Sequence, residues 1–404
     1  MHEMWVKGPF GVDAVNRLTR GGCRMVLVMI PSMTAGTRLM DLVPLLAADH
    51  RVQTVFTVPH AGETWHGAAE FLDHHGCLTV PWHQARQHTW DLILTASHRQ
   101  IEQVRGRMLI LPHGAGNLMS RRYSRKAGVP ARPSTGLDAE LLTFRGRVIP
   151  TAIALTHDTE LKALRRSCPA ALPTAVIAGD ICLDRMVAST PYREQYRAAL
   201  GVGVGVGDTL VTVSSTWSAT STFGCRPELY SRLLDESRGA RVKVAAVLHP
   251  LIWAVHGTYQ VRLWLADAIR RGLMVIPPHD GWQATMIAAD HVIGDHGSTT
   301  SYAAAIGRPV HLAAFPDHNI RSGSIAAATA SVALRLRHDR SIIPQLESAA
   351  PPPAKVDRVS NVMTSRPGQA AKTLRTTMYR LLDMTEPVWP PPMSAVATPR
   401  PLWR

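Results

Sequence analysis

Short apolar runs alternate with amphipathic stretches along the first half of the chain. The runs that predict β-strands are residues 25–30, 52–58, 78–81, 91–96, 107–111, 148–155 and 175–178. Helical patterns at 37–48 and 63–75 separate the earlier runs. Continuous apolar strands separated by helices predict a parallel sheet that is covered on both faces, the doubly wound arrangement.

A second alternating series begins at Thr209. Its predicted strands are 209–215, 242–248, 273–276 and 291–294, and its predicted helices are 227–237, 261–271 and 282–288. We therefore predict an α/β protein with two doubly wound Rossmann-like domains facing a cleft, at 1–178 and 179–340. Residues 341–404 are predicted to be a connector, a helix at 369–384 and a disordered proline-rich tail.

Composition narrows the class of partner. The chain of 404 residues has a formal net charge of +14, which favours an anionic partner or substrate. Aromatic residues make up only 6% and no nucleic-acid-binding module is recognisable, so no specific nucleic-acid partner is expected. No apolar run reaches membrane-spanning length, and residues 1–22 lack a signal core, which predicts a cytoplasmic protein. Trp389, Trp403, Arg400 and Arg404 in the tail would permit peripheral contact with the inner membrane face.

One stretch of the second half joins a strand end to a helix start. The apolar run 291–294 stops at Asp295, and Gly297, Ser298 and Thr299 form a polar turn before a helix of small residues. The N–H groups and the positive dipole end of a helix N-terminus bind anions, so phosphate is a natural ligand here. The alternative is that Ser298 or Thr299 caps its own helix.

Further polar residues follow other predicted strands. Strands of the second series end at Ser215 and Thr216, and at His249, as another does at the 295–299 turn. Because the carboxyl ends of parallel strands lie at one edge, these polar residues are expected to converge there, which favours phosphate binding. In the first series, His113 ends a strand on a glycine-rich loop that leads to a basic cluster, where a base could meet an anionic substrate. The alternatives are a histidine bonded to its own loop and a solvated basic surface.

The ordered set of strand-end motifs resembles the CDP-glycerol glycerophosphotransferase family of teichoic-acid polymerases, which have a GT-B fold. The matching segments are 111–114 (Leu-Pro-His-Gly), 179–184 (Gly-Asp-Ile-Cys-Leu-Asp), 215–217 (Ser-Thr-Trp), 248–250 (Leu-His-Pro) and 295–299 (Asp-His-Gly-Ser-Thr). The similarity covers about residues 113–309. The lysine that follows the family's His-Gly pair is absent here, and Arg121 and Arg122 are the nearest cations.

The resemblance implies a role for each matching position. The 1–178 domain would hold the acceptor and the 179–340 domain the nucleotide donor. His113 would deprotonate the acceptor hydroxyl, His249 would bind the diphosphate during catalysis, and Arg121 and Arg122 would lie on the acceptor side. The nucleotide- and phosphate-binding set would be Ser215, Thr216, His249, Asp295, Gly297, Ser298 and Thr299.

These roles predict a transferase that moves a phosphoalditol (CDP-glycerol-like) or sugar group from a CDP- or UDP-linked donor to a hydroxyl of an anionic acceptor. Fixed donors stabilise the leaving oxygens, so neither a metal nor another cofactor is expected. A second resemblance, to UDP-N-acetylglucosamine 2-epimerase, rests on the His-Pro pair and on the Gly-Ser turn whose helix ends in Gly-x-Pro. Asp180, Asp280 and Asp295 would be its few strand-end carboxylates. The third interpretation is a non-catalytic nucleotide- or nucleic-acid-binding protein.

Overall fold

The computed structural model describes residues 5–9, 18–59, 67–120, 135–203, 207–347 and 353–403, without the side chains of 353–356. These residues form two compact units. The first contains the chain up to Leu118, the segment that ends at Ile181, and Ser365–Met393. The second contains Cys182–Thr364 and the chain from Ser394 onwards.

The first unit is built on a six-stranded parallel sheet of order β2-β1-β3-β4-β7-β8. The strands are β1 (Arg24–Met29), β2 (Val52–Thr57), β3 (Thr89–Thr95), β4 (Arg105–Ile110), β5 (Thr143–Phe144), β6 (Arg147–Val148), β7 (Ala152–Leu155) and β8 (Ala175–Ile177). The helices are α1 (Met33–Leu42), α2 (Ala68–His74), α3 (Trp82–Ala85), α4 (Ala139–Leu142) and α5 (Asp158–Ser167). Residues 26–30 are fully buried because apolar side chains pack on both faces of the sheet, as the unbroken apolar run predicts.

The second unit also contains a six-stranded parallel sheet, of order β11-β10-β9-β12-β13-β14. Its strands are β9 (Thr209–Ser215), β10 (Val242–Leu248), β11 (Met274–Ile276), β12 (His291–Gly294), β13 (Val310–Leu312) and β14 (Leu334–Arg335). Its helices are α6 (Ile181–Ala188), α7 (Arg193–Ala199), α8 (Thr222–Cys225), α9 (Leu229–Glu236), α10 (Pro250–His256), α11 (Thr258–Arg270), α12 (Trp282–Ala288), α13 (Ser298–Ala305), α14 (Ile325–Val332), α15 (Ile343–Glu347) and α16 (Pro353–Met363). The predicted α/β class with two doubly wound sheets is confirmed.

The structure divides the strand predicted at 148–155. Arg147–Val148 pairs antiparallel with Thr143–Phe144 in a small hairpin, and only Ala152–Leu155 joins the large sheet. Pro150 lies between the two pieces. Because proline has no N–H to donate to a ladder, it interrupts an inner strand.

The last helix, α17 (Ala370–Leu382), packs on the sheet of the first unit. Leu374, Met378 and Tyr379 are buried in the same cluster as the first strands. The Arg107 side chain donates to the Leu381 carbonyl at 2.7 Å. The helix predicted at 369–384 is therefore present, and it completes a domain that begins more than three hundred residues earlier in the chain.

The proline-rich tail is ordered on the second unit, which corrects the prediction of disorder. Val396 is buried; its N–H donates to the Ser189 hydroxyl at 3.0 Å and its carbonyl accepts from Tyr196 at 3.1 Å. Trp403 forms an antiparallel bridge with Val275 on the edge strand β11. These hydrogen bonds hold the segment on the second unit, although it forms no helix of its own.

Candidate functional site

The first unit presents His113 on the loop that follows β4. Leu111 extends the strand by donating its N–H to the Thr95 carbonyl at 3.0 Å, and the chain then turns at Pro112. His113 itself is exposed, as a base that must meet a substrate hydroxyl has to be. The glycine at 116 has a φ of +75°, a backbone conformation that favours glycine.

The surroundings of His113 keep its imidazole in the neutral form. Neighbouring protein displaces enough water to lower the pKa of His113, and the positive charge of Arg38 lowers it further, although a hydrogen bond with the Ala96 carbonyl acts in the opposite direction. His98 lies beside it, and burial together with His113 lowers the pKa of His98 to about 4. A neutral imidazole near neutral pH can accept a proton.

Two pairs of residues hold the His113 loop. Arg38, on α1, donates to the Gly114 carbonyl at 3.0 Å and forms a buried ion pair with Asp180 at 3.1 Å. Glu160 accepts the Asn117 backbone N–H at 2.6 Å and its side-chain amide at 2.8 Å. Gly114 and Asp180 lie in the sequence motifs, whereas Arg38 and Glu160 were not predicted to contribute.

Glu160 keeps its other hydrogen bonds within α5 and the turn before it. Its carboxylate accepts from the Thr156 N–H at 2.8 Å and from the Thr156 hydroxyl at 3.1 Å. Burial raises the pKa of Glu160, while the hydrogen bonds from Asn117 and Thr156 oppose that shift. Because its acceptor capacity is used by the protein, Glu160 supports the loop rather than offering a site for a ligand. Arg121 and Arg122 lie outside the described residues.

In the second unit, the sheet order places three predicted strand ends side by side. β9 is flanked by β10 and β12, so Thr216, His249 and Asp295 lie at one edge. The His249 N–H donates to the Ser215 carbonyl at 2.9 Å, which joins two of these ends directly. The convergence expected from the strand pattern is present.

The Asp295 carboxylate holds the backbone of this edge through hydrogen bonds. The carboxylate is fully buried and accepts N–H groups from Thr216 at 3.0 Å, Thr222 at 2.9 Å and Gly297 at 2.9 Å. Burial raises the pKa of Asp295 to about 6, although these hydrogen bonds pull the pKa down. A buried carboxylate with these donors supports the turn and would repel an anion, so we assign Asp295 to holding the turn rather than to contact with phosphate.

Ser215 is likewise a support. Its buried hydroxyl accepts from the Phe223 N–H at 2.9 Å and donates to the Thr216 carbonyl at 2.8 Å. Because the hydroxyl is buried and used within the protein, we assign Ser215 to support of the edge rather than to direct contact with phosphate. Thr216, by contrast, is only half-buried.

The helix start at α13 leaves its first residues accessible. The N-cap is Gly297, which has no side chain to cap with, and neither Ser298 nor Thr299 occupies the cap position. Ser298 is exposed and Thr299 is half-buried. Neither of these hydroxyl residues is therefore the N-cap of α13. The N–H groups of its first turn have no acceptor within the helix.

Two glycines allow this turn to close. A Cβ added at Gly294 would lie 2.3 Å from the Thr300 hydroxyl oxygen, which is too close for any side chain. A Cβ at Gly297 would lie 3.1 Å from both the Asp295 carboxylate and the Thr216 Cβ. Close packing of the turn against the buried carboxylate therefore depends on small residues at both positions.

His249 adds a side-chain donor to the edge. Its Nδ1 accepts the Leu251 N–H at 3.1 Å, so His249 caps α10 and the proton of a neutral ring is assigned to Nε2. The ring of the exposed Trp217 lies 6.4 Å from that of His249. A helix start, hydroxyls and an imidazole N–H form an arrangement suited to phosphate oxygens.

The described residues also bear on a metal site, on the third strand-end carboxylate and on a membrane-spanning helix. The described part of the chain contains no group of three or more His, Cys, Asp or Glu side chains that could hold a metal ion. The third strand-end carboxylate, Asp280, accepts the N–H of the adjacent Gly281 at 2.7 Å. No helix among the described ranges is both long and apolar enough to cross a membrane.

Comparison by sequence finds no relative. No family model matches the chain. No curated protein matches it either.

Comparison by structure does find similar proteins. The wall teichoic acid polymerase TagF superposes with a TM-score of 0.57 at 10% identity, covering 90% of this chain and 90% of that one. UDP-GlcNAc 2-epimerase from Neisseria meningitidis, bound to UDP-GlcNAc, gives 0.53 at 11% identity, covering 88% of this chain and 100% of that one. The S. aureus MnaA structure with UDP gives 0.52 at 10% identity, with 90% and 98% covered. The chain has the GT-B fold that the sequence motifs predicted.

Proposed function

We propose that this protein is a transferase that moves a phosphoalditol or sugar group from a nucleotide diphosphate donor to a hydroxyl acceptor without a metal. The main support for the proposal is the edge of the second sheet, where the start of α13 and His249 lie at the ends of β12 and β10, on either side of β9. Backbone N–H groups, the hydroxyls of Ser298 and Thr299, and the imidazole N–H would bind the diphosphate. Their fixed positions would stabilise the negative charge that develops on the leaving oxygens.

His113 is the proposed general base. In transfer of a phosphoalditol, the acceptor hydroxyl oxygen forms a bond to phosphorus, the bond from phosphorus to the nucleotide oxygen breaks, and the nucleoside monophosphate leaves. In transfer of a sugar, the new bond is to the anomeric carbon and the nucleoside diphosphate leaves. In both reactions His113 takes the hydroxyl proton, for which its lowered pKa provides a neutral imidazole.

The solved structures support a nucleotide donor in general terms. One TagF structure of TM-score 0.54 and 9% identity was soaked with CDPG, covering 89% of this chain and 88% of that one. The epimerase and MnaA structures hold UDP-GlcNAc and UDP. The net charge of +14 favours an anionic acceptor, and we propose that the reaction takes place in the cytoplasm or at the inner membrane face.

The second candidate is a sugar-nucleotide epimerase, which the similarity to UDP-GlcNAc 2-epimerase favours. Its chemistry requires acid and base groups that can exchange protons with the sugar. The Asp180 carboxylate is paired with Arg38, and the Asp295 carboxylate is buried under three N–H donors. We therefore rank the transferase first.

Thermal-shift measurements with CDP, UDP, CDP-glycerol, UDP-GlcNAc and single-stranded oligonucleotides test the proposal. We expect stabilisation by a nucleotide diphosphate or its conjugate, followed by transfer of label from that donor to an acceptor hydroxyl in the presence of a chelator. Stabilisation by oligonucleotides alone would contradict the transferase. Interconversion of UDP-GlcNAc with its C2 epimer would replace it with the second candidate.

A further inference from the structure

The guanidinium of Arg38 connects three separate segments of the first unit. It projects from α1 and is buried. One terminal nitrogen donates to the Gly114 carbonyl and the second terminal nitrogen donates to the Asp180 carboxylate. The Asp180 side chain is completely buried as well. Because a guanidinium is a rigid planar fork, these two hydrogen bonds fix the distance between the His113–Gly114 turn and the end of β8.

The far end of the same loop has an independent anchor. Asn117 is held by Glu160 and also donates its side-chain amide to the Ala154 carbonyl at 3.0 Å. A Cβ at Gly136 would lie 2.1 Å from the Asn117 carbonyl oxygen, so close packing confines that end too. Loss of Arg38 would therefore remove the anchor of the Gly114 backbone and leave in place the Asn117 end and the hydrogen bond of the His113 ring with the Ala96 carbonyl.

We propose that Arg38 is the positioning residue for His113 and that Asp180 holds Arg38 in place. This inference rests on the proposed function, in which His113 is the base. Arg38 reaches Gly114 rather than the reacting atoms, so it acts through the loop and is not itself a catalytic residue. A displacement of the base by about 1 Å is enough to lower turnover by about 100-fold.

The charge of Arg38 gives the proposal a second, measurable consequence. The titratable and charged groups around the imidazole are Arg38 on α1, His98 on the loop after β3, and Asp180, which is paired with Arg38. Asp138 acts on His98 and raises its pKa. Arg38 lowers the pKa of His113, so a neutral side chain at position 38 should raise that pKa.

Two substitutions separate geometry from charge. Arg38→Lys keeps the positive charge, but an ammonium cannot reproduce the planar fork between Gly114 and Asp180. Arg38→Gln removes the charge as well. The titration of His113 would be followed by NMR of the histidine ring signals in each variant, with the His113 signal assigned from its disappearance in His113→Asn.

We expect Arg38→Gln to raise the pKa of His113 and Arg38→Lys to leave it close to that of the wild type. Both variants should lower the NMR order parameters of the backbone N–H groups near Gly114 and, with a donor substrate, lower kcat about 100-fold at unchanged donor KM. In Arg38→Gln, the acidic limb of the rate profile should also move to higher pH. The matched control is Arg51→Gln, which breaks the Asp49–Arg51 ion pair in the same unit and should change neither the His113 titration nor the loop.

An unchanged His113 pKa in Arg38→Gln, or wild-type order parameters near Gly114 in Arg38→Lys, would overturn the inference. If Arg38→Gln does not fold, the order parameters of Arg38→Lys decide alone. The titration and the relaxation measurement need no substrate. A protein that binds no nucleotide therefore overturns the proposed function, whereas these two measurements still decide the role of Arg38.

Discussion

The carboxyl edge of the first sheet presents a histidine on a loop held by charged side chains, whereas that of the second presents backbone N–H groups, hydroxyls and the imidazole of His249. In the first, the Arg38–Asp180 pair and Glu160 hold a loop that presents one histidine. In the second, the buried Asp295 holds N–H groups and leaves a helix start open. The first arrangement suits the transfer of a proton, and the second suits the binding of an anion.

Replacing the proposed base should give the largest effect. His113→Ala is expected to lower kcat by about 100- to 10,000-fold, the contribution of a positioned general base, while nucleotide affinity stays close to that of the wild type. Steady-state kinetics and calorimetric titration with the nucleotide measure the two quantities. His318→Ala, at an exposed histidine of the second unit, is the control. Loss of nucleotide affinity in His113→Ala would show that the first edge binds the donor.

Removing the carboxylate beneath the second edge should destabilise the protein. Asp295→Ala leaves the N–H groups of Thr216, Thr222 and Gly297 without their acceptor. Of the three contacts, that of the Thr222 N–H is fully buried. An unsatisfied buried group costs about 1–3 kcal/mol, so we expect a loss of about that size in the free energy of unfolding by urea. Asp339→Ala, which removes an exposed ion pair with Arg337, should change it by less than about 0.5 kcal/mol. Equal effects would mean that Asp295 does not organise the edge.

The second unit also contains a titratable group that lies within its sheet rather than at its edge. His311 is fully buried in β13, and neither ring nitrogen has a hydrogen-bond partner among the described residues. Burial, followed by the nearby His291, lowers the pKa of His311 to about 4. As the pH is lowered, the unfolded chain therefore binds a proton at His311 before the folded protein does. The free energy of unfolding consequently decreases as the pH drops from about 6.5 towards 4.

We expect His311→Leu to remove about 2 kcal/mol of that loss between pH 7 and pH 4.5. The measurement is the free energy of unfolding at pH 7 and at pH 4.5 for the variant and the wild type. His98 and His113 contribute in the same direction in both proteins, so the difference isolates position 311. An identical pH dependence in the two proteins would contradict the burial of an unpaired imidazole there.

The sequence predicted the features that depend on neighbouring residues. Strands such as β9 and β10 have the predicted bounds because their apolar runs are unbroken, and parallel pairing then brings their polar ends to one edge. Burial that depends on residues distant in the sequence could not be predicted in this way. Arg38 looked like one polar residue of an amphipathic helix, and its partner Asp180 lies 142 positions away.

Asp295 illustrates the same limit at the site itself. Its place at a strand end was predicted correctly, but three N–H groups from 216, 222 and 297 decide that it supports the turn. The tail gives a further example. Its proline content indicated disorder, whereas Val396 is fixed by Ser189, which lies 207 positions earlier.

The most direct test of the account is calorimetric titration of CDP and UDP into the wild type, Ser298→Ala and His249→Ala. We expect the wild type to bind at least one of the two nucleotides and each substitution to weaken binding by about 1–3 kcal/mol, the scale of a lost charge-assisted hydrogen bond. Ser331→Ala, at an exposed serine at the end of α14, should leave the affinity unchanged. Wild-type affinity in both edge variants would contradict the assignment of the second edge to the nucleotide diphosphate.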